Sequence, residues 1–222
     1  MVYRWNFAPL LENADVLWAG VLGTLRLFVI CMVLGMSFGL LVGLGRHARS
    51  RWVYFGATAF VEVFRNTPVL VQILWFYYAL PILVPFEIGP LTAATLGISL
   101  NSAAFSAEIY RGGIESIDRG QREGARALGM TGAQAMRRVV LPQALRRMLP
   151  ALTNRGIEIF KMTTLASAVA YVELLQQGKL LASLNFNPIE TYTVIAVVFF
   201  LCLFPLVQAA YALERRLNRS DA

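Results

Sequence analysis

Apolar residues along this chain gather into long blocks, and the polar ones fall in the gaps between them. A helix crossing the hydrocarbon core takes roughly 20 apolar residues. Stretches 18–45, 53–80, 91–110, 148–172 and 190–213 meet that length, so five transmembrane helices are expected in an all-α integral membrane protein. The gaps differ in charge. Segment 46–52 carries Arg46, Arg49 and Arg51, and segment 111–147 carries Arg111, Arg119, Arg122, Arg126, Arg137, Arg138, Arg146 and Arg147. The tail adds Arg215, Arg216 and Arg219. Segment 81–90 has no Lys or Arg, 176–189 has only Lys179, and the N-terminus only Arg4. Cytoplasmic loops hold the excess of Lys and Arg, which puts the N-terminus outside and the C-terminus in the cytoplasm. That arrangement needs an odd number of spans, and five agrees with it.

Polar and small residues inside the blocks narrow the picture. Gly35, Gly39 and Gly43 recur on one helix face, where small residues let a neighbouring backbone approach closely. Block 53–80 contains Arg65-Asn66-Thr67-Pro68. Pro68 has no N–H and clashes with the carbonyl of Phe64, so the helix must kink or break there. The freed carbonyls need protein groups or water as partners. At ~1.5 Å per residue, Arg65 stands about 18 Å from the cytoplasmic end of its block, near the midplane. An ionisable group so deep faces a bundle interior or a cavity.

In the fourth block Arg155, Glu158 and Lys161 follow at three-residue spacing, on one side of a helix. Two readings stand. Arg155 and Glu158 form an internal pair with Lys161 supporting a neighbouring group, or Lys161 and Arg65 meet the carboxylates of a passing solute. Arg65 equally suits the carbonyls freed by Pro68. Thr67, Thr163 and Thr164 offer hydroxyls, although threonine in a membrane helix tends to bond its own turn.

The chain has 222 residues, 57% hydrophobic and 15% charged, with a mean hydropathy of +0.58. That is more apolar surface than a soluble domain of this size hides. The net charge of +7 does not point to nucleic acid, because the basic residues cluster at the ends of apolar blocks. Cys31 and Cys202 sit inside apolar runs and read as small buried hydrophobes. With His47 as the single histidine, no metal site is expected. The first sixteen residues carry Arg4, Glu12 and Asp15 without the pattern of a cleavable signal peptide. There is no G-x-x-x-x-G-K-[ST] loop, so ATP hydrolysis is not expected of this chain, nor is any cofactor. No internal repeat is visible.

Segment 111–147 is too long and too patterned for a plain connector. Asp118 with Gln121 gives a cap-like start to a first helix, which Gly129 ends. Thr131 with Gln134 starts a second, which runs to Leu141-Pro142. Glu123 and small residues on a short helix suit a groove on another protein. The alternative is an amphipathic pair lying on anionic lipid.

Glu123-Gly124-Ala125, Gly129 and Val139-Val140-Leu141-Pro142 resemble the E-A-A-x3-G-x9-I-x-L-P signature of permeases of binding-protein-dependent ABC importers. Gly124 replaces the middle Ala, and Val139 replaces Ile. Phe64-Arg65-Asn66-Thr67-Pro68-Val69-Leu70-Val71-Gln72 is similar to the F-R-G/N-T-P-L-L-V-Q stretch of the polar amino acid permeases of the histidine/glutamine subfamily. Ser106-Ala107-Glu108-Ile109-Tyr110-Arg111-Gly112-Gly113-Ile114 also resembles that subfamily. Lys161-Met162-Thr163-Thr164-Leu165 stands where many members have K-D-T-S-L, so any role of that acidic residue does not carry over. Asn66-Thr67-Pro68 and Gln177-Gly178-Lys179-Leu180-Leu181 look most like glutamate/aspartate permeases.

The resemblance implies a type I ABC importer fold with cytoplasmic coupling helices between spans 3 and 4, in a multi-pass protein of the bacterial inner membrane. It implies ATPase coupling through segment 118–142, on Glu123, Gly124, Ala125, Gly129, Leu141 and Pro142. Candidates along the substrate pathway are Arg65, Thr67, Glu158, Lys161, Thr163 and Thr164. Implied partners are an ATP-binding subunit dimer that holds ATP and Mg, a second permease subunit as homo- or heterodimer, an external solute-binding protein, a polar amino acid and membrane lipid. Rival readings are an ATP-independent secondary amino acid transporter or channel, which leaves the patterned segment unexplained, and a membrane scaffold, which leaves Arg65 and Lys161 unexplained.

Overall fold

The computed structural model describes residues 4–48 and 50–218. Arg49 and Arg219, counted above among the loop charges, lie outside the described residues, as does the side chain of Arg216. Every regular element described is helical. A short α1 (Ala8–Glu12) leads into the long α2 (Ala14–Gly45). Next come α3 (Arg51–Asn66) and α4 (Val69–Leu74), and a π-helical stretch (Trp75–Ala79) runs on into α5 (Leu80–Leu83). The chain continues through α6 (Pro90–Glu115), α7 (Arg119–Ala127), α8 (Gly132–Ala135), a second π-helical stretch (Met136–Val140) and α9 (Leu141–Met162). A 3₁₀ run (Thr163–Val169), α10 (Leu174–Asn185) and α11 (Pro188–Asn218) complete it.

The expected five transmembrane helices are not what the structure holds. Among the described residues two helices are long and apolar enough to cross a membrane, Ala14–Gly45 and Pro188–Arg215. The pair Arg51–Asn66 and Val69–Leu83, bent by 104°, makes a third if it counts as one span. With two spans the odd count that an outside N-terminus needs is lost; with three it is kept at a lower number than expected.

Each departure has a local cause. Thr92, Thr95, Ser99, Asn101, Ser102 and Ser106 dilute the apolar content of α6, which is the most enclosed helix of the bundle, with Ala93, Ala94, Ile98 and Ala103 fully buried. A helix walled by protein can carry such residues where lipid would exclude them. In the fourth block α9 stops at Met162, the backbone tightens to 3₁₀, and Ala170 turns left-handed at φ 56°. The following segment then folds back on α2: Tyr171 donates to the Gly23 carbonyl at 3.2 Å, and the Leu174 N–H donates to Thr24 Oγ1 at 3.1 Å.

The glycine face of α2 lies on α6, as its spacing predicts. A β-carbon on Gly35 would stand 2.6 Å from Ser102 Cβ, and one on Gly39 would stand 2.6 Å from Ser106 Cβ and 2.8 Å from the Ala103 carbonyl. At Gly43 the nearest atoms are looser, 3.2 Å and 3.3 Å away. Around this seam Leu27, Cys31, Ile73, Ala94, Ile98 and Ile159 form the central apolar core. Gly39→Val is expected to overpack the seam and cost about 1–3 kcal/mol, seen as a drop of several degrees in the thermal unfolding of the purified protein. At Gly56 a β-carbon would meet nothing within 4 Å, so Gly56→Ala should cause no such drop.

Candidate functional site

Two regions carry the candidate residues: the helix–turn–helix after α6, and a polar face where α3, α6 and α9 meet.

The helix–turn–helix is set by caps. The Asp118 carboxylate accepts the Gly120 N–H at 2.6 Å and opens α7. Gln121 does not close a box there; its Oε1 instead accepts from Gln143 Nε2 at 3.3 Å. At the far end Gly129 has φ +76°. Its N–H donates to the Arg126 carbonyl at 2.9 Å, and the Met130 N–H donates to that of Ala125 at 3.1 Å. Both bonds together make a Schellman stop, which the missing β-carbon of glycine permits. Thr131 and Gln134 then form the reciprocal capping box, with bonds of 3.3 Å and 2.9 Å.

Leu141-Pro142 does not end the second helix. Instead, α8 continues through the π-helical stretch into α9, and the Leu141 N–H reaches the Met136 carbonyl five residues back. The wider turn lets the chain pass Pro142, which has no N–H to give. Gly120, Gln121, Gly124, Ala127, Leu128 and Met130 line a shallow cleft of about 490 Å³. Glu123, Gly124 and Gly129 are exposed, Leu128 is 80% exposed, and Ala125 is buried against the body. Leu141 and Pro142 are also exposed.

The segment is fastened to the bundle. Arg122 Nη2 donates to the Ile114 carbonyl at 2.7 Å, and Arg147 donates to that of Ser116. Ile117, Val140, Ala144 and Met148 pack beneath it. Glu108 is held between Arg46, at the end of α2, and Arg111, which also pairs with Glu115. Those charges tie α6 to α2, not to the capped segment.

On the polar face, Arg65, Glu158 and Lys161 are exposed. Arg155 is not: its side chain is 5% exposed, against 61% for Glu158, to which its Nη1 donates at 2.8 Å. Its Nη2 donates to Asn101 Oδ1 at 3.0 Å and Ser102 Oγ at 3.2 Å. The Arg155 guanidinium lies 4.6 Å from the centroid of the Phe105 ring, and that of Arg65 lies 5.6 Å from the same centroid. Both are within cation–π range.

Arg65 does not serve the carbonyls that Pro68 releases. Gln72 Nε2 donates to the carbonyls of Phe64 and Thr67, both at 2.9 Å, and Asn101 Nδ2 donates to Phe64 at 2.8 Å. The three threonines turn their hydroxyls inward: Thr67 to Val63, Thr163 to Phe160 and Thr164 to Lys161, at 2.7, 2.7 and 2.8 Å. Thr163 is fully buried. Sequence reasoning missed Gln72, Asn101 and Phe105. The one signal for Asn101 was its place in a Ser99–Ser102 run inside an apolar block.

A family model described as the inner membrane component of binding-protein-dependent transport systems matches residues 35–219. The chain belongs to this family. GlnP, the glutamine transport system permease protein of Escherichia coli K12, is 38% identical over 217 residues, 96% of this chain and 95% of GlnP. ArtQ, the arginine transport system permease protein of Bacillus subtilis, is 29% identical over 97% of this chain and 99% of its own. A solved chain of an amino acid ABC transporter with histidines superposes with a TM-score of 0.91 at 33% identity, covering 96% of this chain and all of the other. A chain of the MetNI methionine ABC transporter gives 0.76 at 26%, covering 95% and 98%.

Within the family, this chain stands among the bacterial amino-acid ABC permeases. It is a transport component of the inner membrane, not the ATPase. The partner set expected above, of ATPase, second permease subunit, substrate-binding protein and amino-acid substrate, matches the architecture of these related systems.

Gly129→Ala places a β-carbon in left-handed backbone at a cost of about 1–2 kcal/mol. Amide hydrogen exchange across 119–135 should therefore quicken about tenfold, with the amides of α2 and α6 unchanged.

Proposed function

We propose that this chain is the permease subunit of an ABC importer for polar amino acids, acidic ones foremost, with Glu123, Gly124, Ala125, Gly129, Leu141 and Pro142 at the contact with the ATPase. The observation that carries the proposal is the capped helix–turn–helix itself. It presents an exposed carboxylate, small residues and the Leu128 side chain around a cleft, and it is bolted to α6 and α9. An amphipathic pair resting on lipid would keep its apolar residues on one outward face; here they are divided, with Ile117, Ala125, Ala135 and Val140 buried against the body and Leu128, Met136 and Leu141 exposed. Such a rigid knob fits a groove on another protein. ATP energy would enter through it and tip the subunit between two rigid-body states.

The lean towards acidic amino acids rests on Arg65 and Lys161. Both are exposed cations on a helical face that lipid would not tolerate, and Met162 supplies no opposing carboxylate beside Lys161. Glu158 stands on the same side and offers a carboxylate to a substrate ammonium. Thr67 and Thr164 contribute lone pairs only, since their protons are engaged, and Thr163 supports the backbone from inside.

Two experiments test this. Glu123→Arg and Gly129→Trp should abolish ATP-dependent uptake and co-purification with the ATPase while leaving membrane insertion intact; retained uptake in either would remove the docking assignment. Arg65→Ala should raise the KM for glutamate uptake at least tenfold, since a hydrogen bond to a charged group is worth about 1.5–3 kcal/mol. Unlabelled glutamate and aspartate should compete for wild-type uptake better than glutamine or arginine, and the reverse order would sink the acidic preference.

A further inference from the structure

We infer that Asn101 and Arg155 are positioning residues that set the bend between α3 and α4 and, with it, the place of the Arg65 guanidinium. The inference rests on the reading of Arg65 as a pathway group. Pro68 brings no N–H, so the Phe64 carbonyl has no partner in its own helix. That carbonyl belongs to the residue just before Arg65. Gln72 reaches it from α4 at 2.9 Å and Asn101 from α6 at 2.8 Å; only Asn101 links it to the rest of the bundle, because the same amide accepts from Arg155 of α9 at 3.0 Å. An asparagine amide has a donor end and an acceptor end. With the oxygen facing a guanidinium and the nitrogen facing a carbonyl, only one orientation satisfies both. Asn101 is 3% exposed, so water does not substitute for either partner.

Arg155 reaches Arg65 by a second route. Both guanidinium groups rest on the Phe105 ring, at 4.6 and 5.6 Å from its centroid, and Arg155 also holds the Glu158 carboxylate at 2.8 Å. One buried cation thus fixes an exposed carboxylate on its own helix and an exposed cation on another. A buried charge stripped of an acceptor is costly, so α9, α6 and the end of α3 keep their spacing together. Because α9 runs on directly from the capped segment at Leu141, a displacement of that segment carries the bend with it.

The test compares Asn101→Leu with Asn101→Leu/Arg155→Met in the whole transporter, reconstituted in vesicles with its ATPase and binding protein. Asn101→Leu strands the guanidinium and should lower thermal stability. The double variant has no charge to strand, so its stability should return. Its bend keeps the two Gln72 bonds but loses the tie to α6: amides of Val69–Ile73 should exchange at least tenfold faster than in the wild type, and the uptake KM should rise about tenfold with kcat unchanged. A wild-type exchange rate at Val69–Ile73 in the double variant overturns the inference whatever Arg65 does. Faster exchange with an unchanged KM, alongside an unchanged KM in Arg65→Ala, keeps the tie and removes the pathway role of Arg65. A raised KM in Arg65→Ala with an unchanged KM in the double variant overturns the inference alone.

Discussion

Gly35 and Gly39 allow the backbone of α2 to come so near α6 that Ser102 and Ser106 occupy the space where β-carbons would stand. The rest of the bundle is built from that approach. With α2 pressed on one side and α3, α4 and α9 on the others, α6 is enclosed, and its serines and Asn101 become interior groups. Interior polar groups tend to find partners; Ser106 Oγ has none among the described residues, but Ser102 and Asn101 do. Ser102, standing over Gly35, accepts from Arg155, and Asn101 answers both Arg155 and the carbonyl left open by Pro68. Close packing on the apolar side of α6 and the buried charge network on its polar side are therefore two consequences of one seam.

What the sequence made legible were features whose physics is local. The glycine face, the break at Pro68, the caps at Asp118, Thr131 and Gly129, and the back-bonding of threonine follow from residues within one or two turns of each other. The span count failed because apolar length is a statement about what surrounds a helix. α6 reads as a membrane block diluted by Ser, Thr and Asn, and its surroundings are protein. α9 reads as one block with the following segment, yet the backbone tightens after Met162 and reverses at Ala170. Nothing in the apolar pattern marks that change. Leu141-Pro142 looked like a stop because a proline ends an α-helical ladder, whereas a π turn five residues wide passes it. Asn101, Gln72 and Phe105 were missed for a further reason: their partners lie on other helices, as far as 54 positions away in the chain.

Arg155 shows how spacing alone misleads about charge. Arg155, Glu158 and Lys161 share a helical side by periodicity, but a difference of one turn separates a guanidinium sealed against Phe105 from a carboxylate that is 61% exposed. Burial of Arg155 is tolerable because its Nη atoms have three acceptors on two helices. An exposed group here has fewer obligations and is free to meet a solute; a sealed one is occupied by structure.

The capped segment and the polar face lie at opposite ends of α9, and the helix between them carries Pro150 but is fastened to α6 on either side of it. At one end Arg147, Ala144 and Met148 fix it to α6 and to the underside of the segment; at the other Arg155 fixes it again to α6, through Asn101 and Ser102. A helix held at both ends to the same neighbour cannot slide along it without breaking charged hydrogen bonds, which are worth more than neutral ones. Motion imposed at α7 and α8 must then turn α6 and α9 as one block, and the bend at Pro68, where the helical ladder is already interrupted, is the place where that block meets a segment able to change direction.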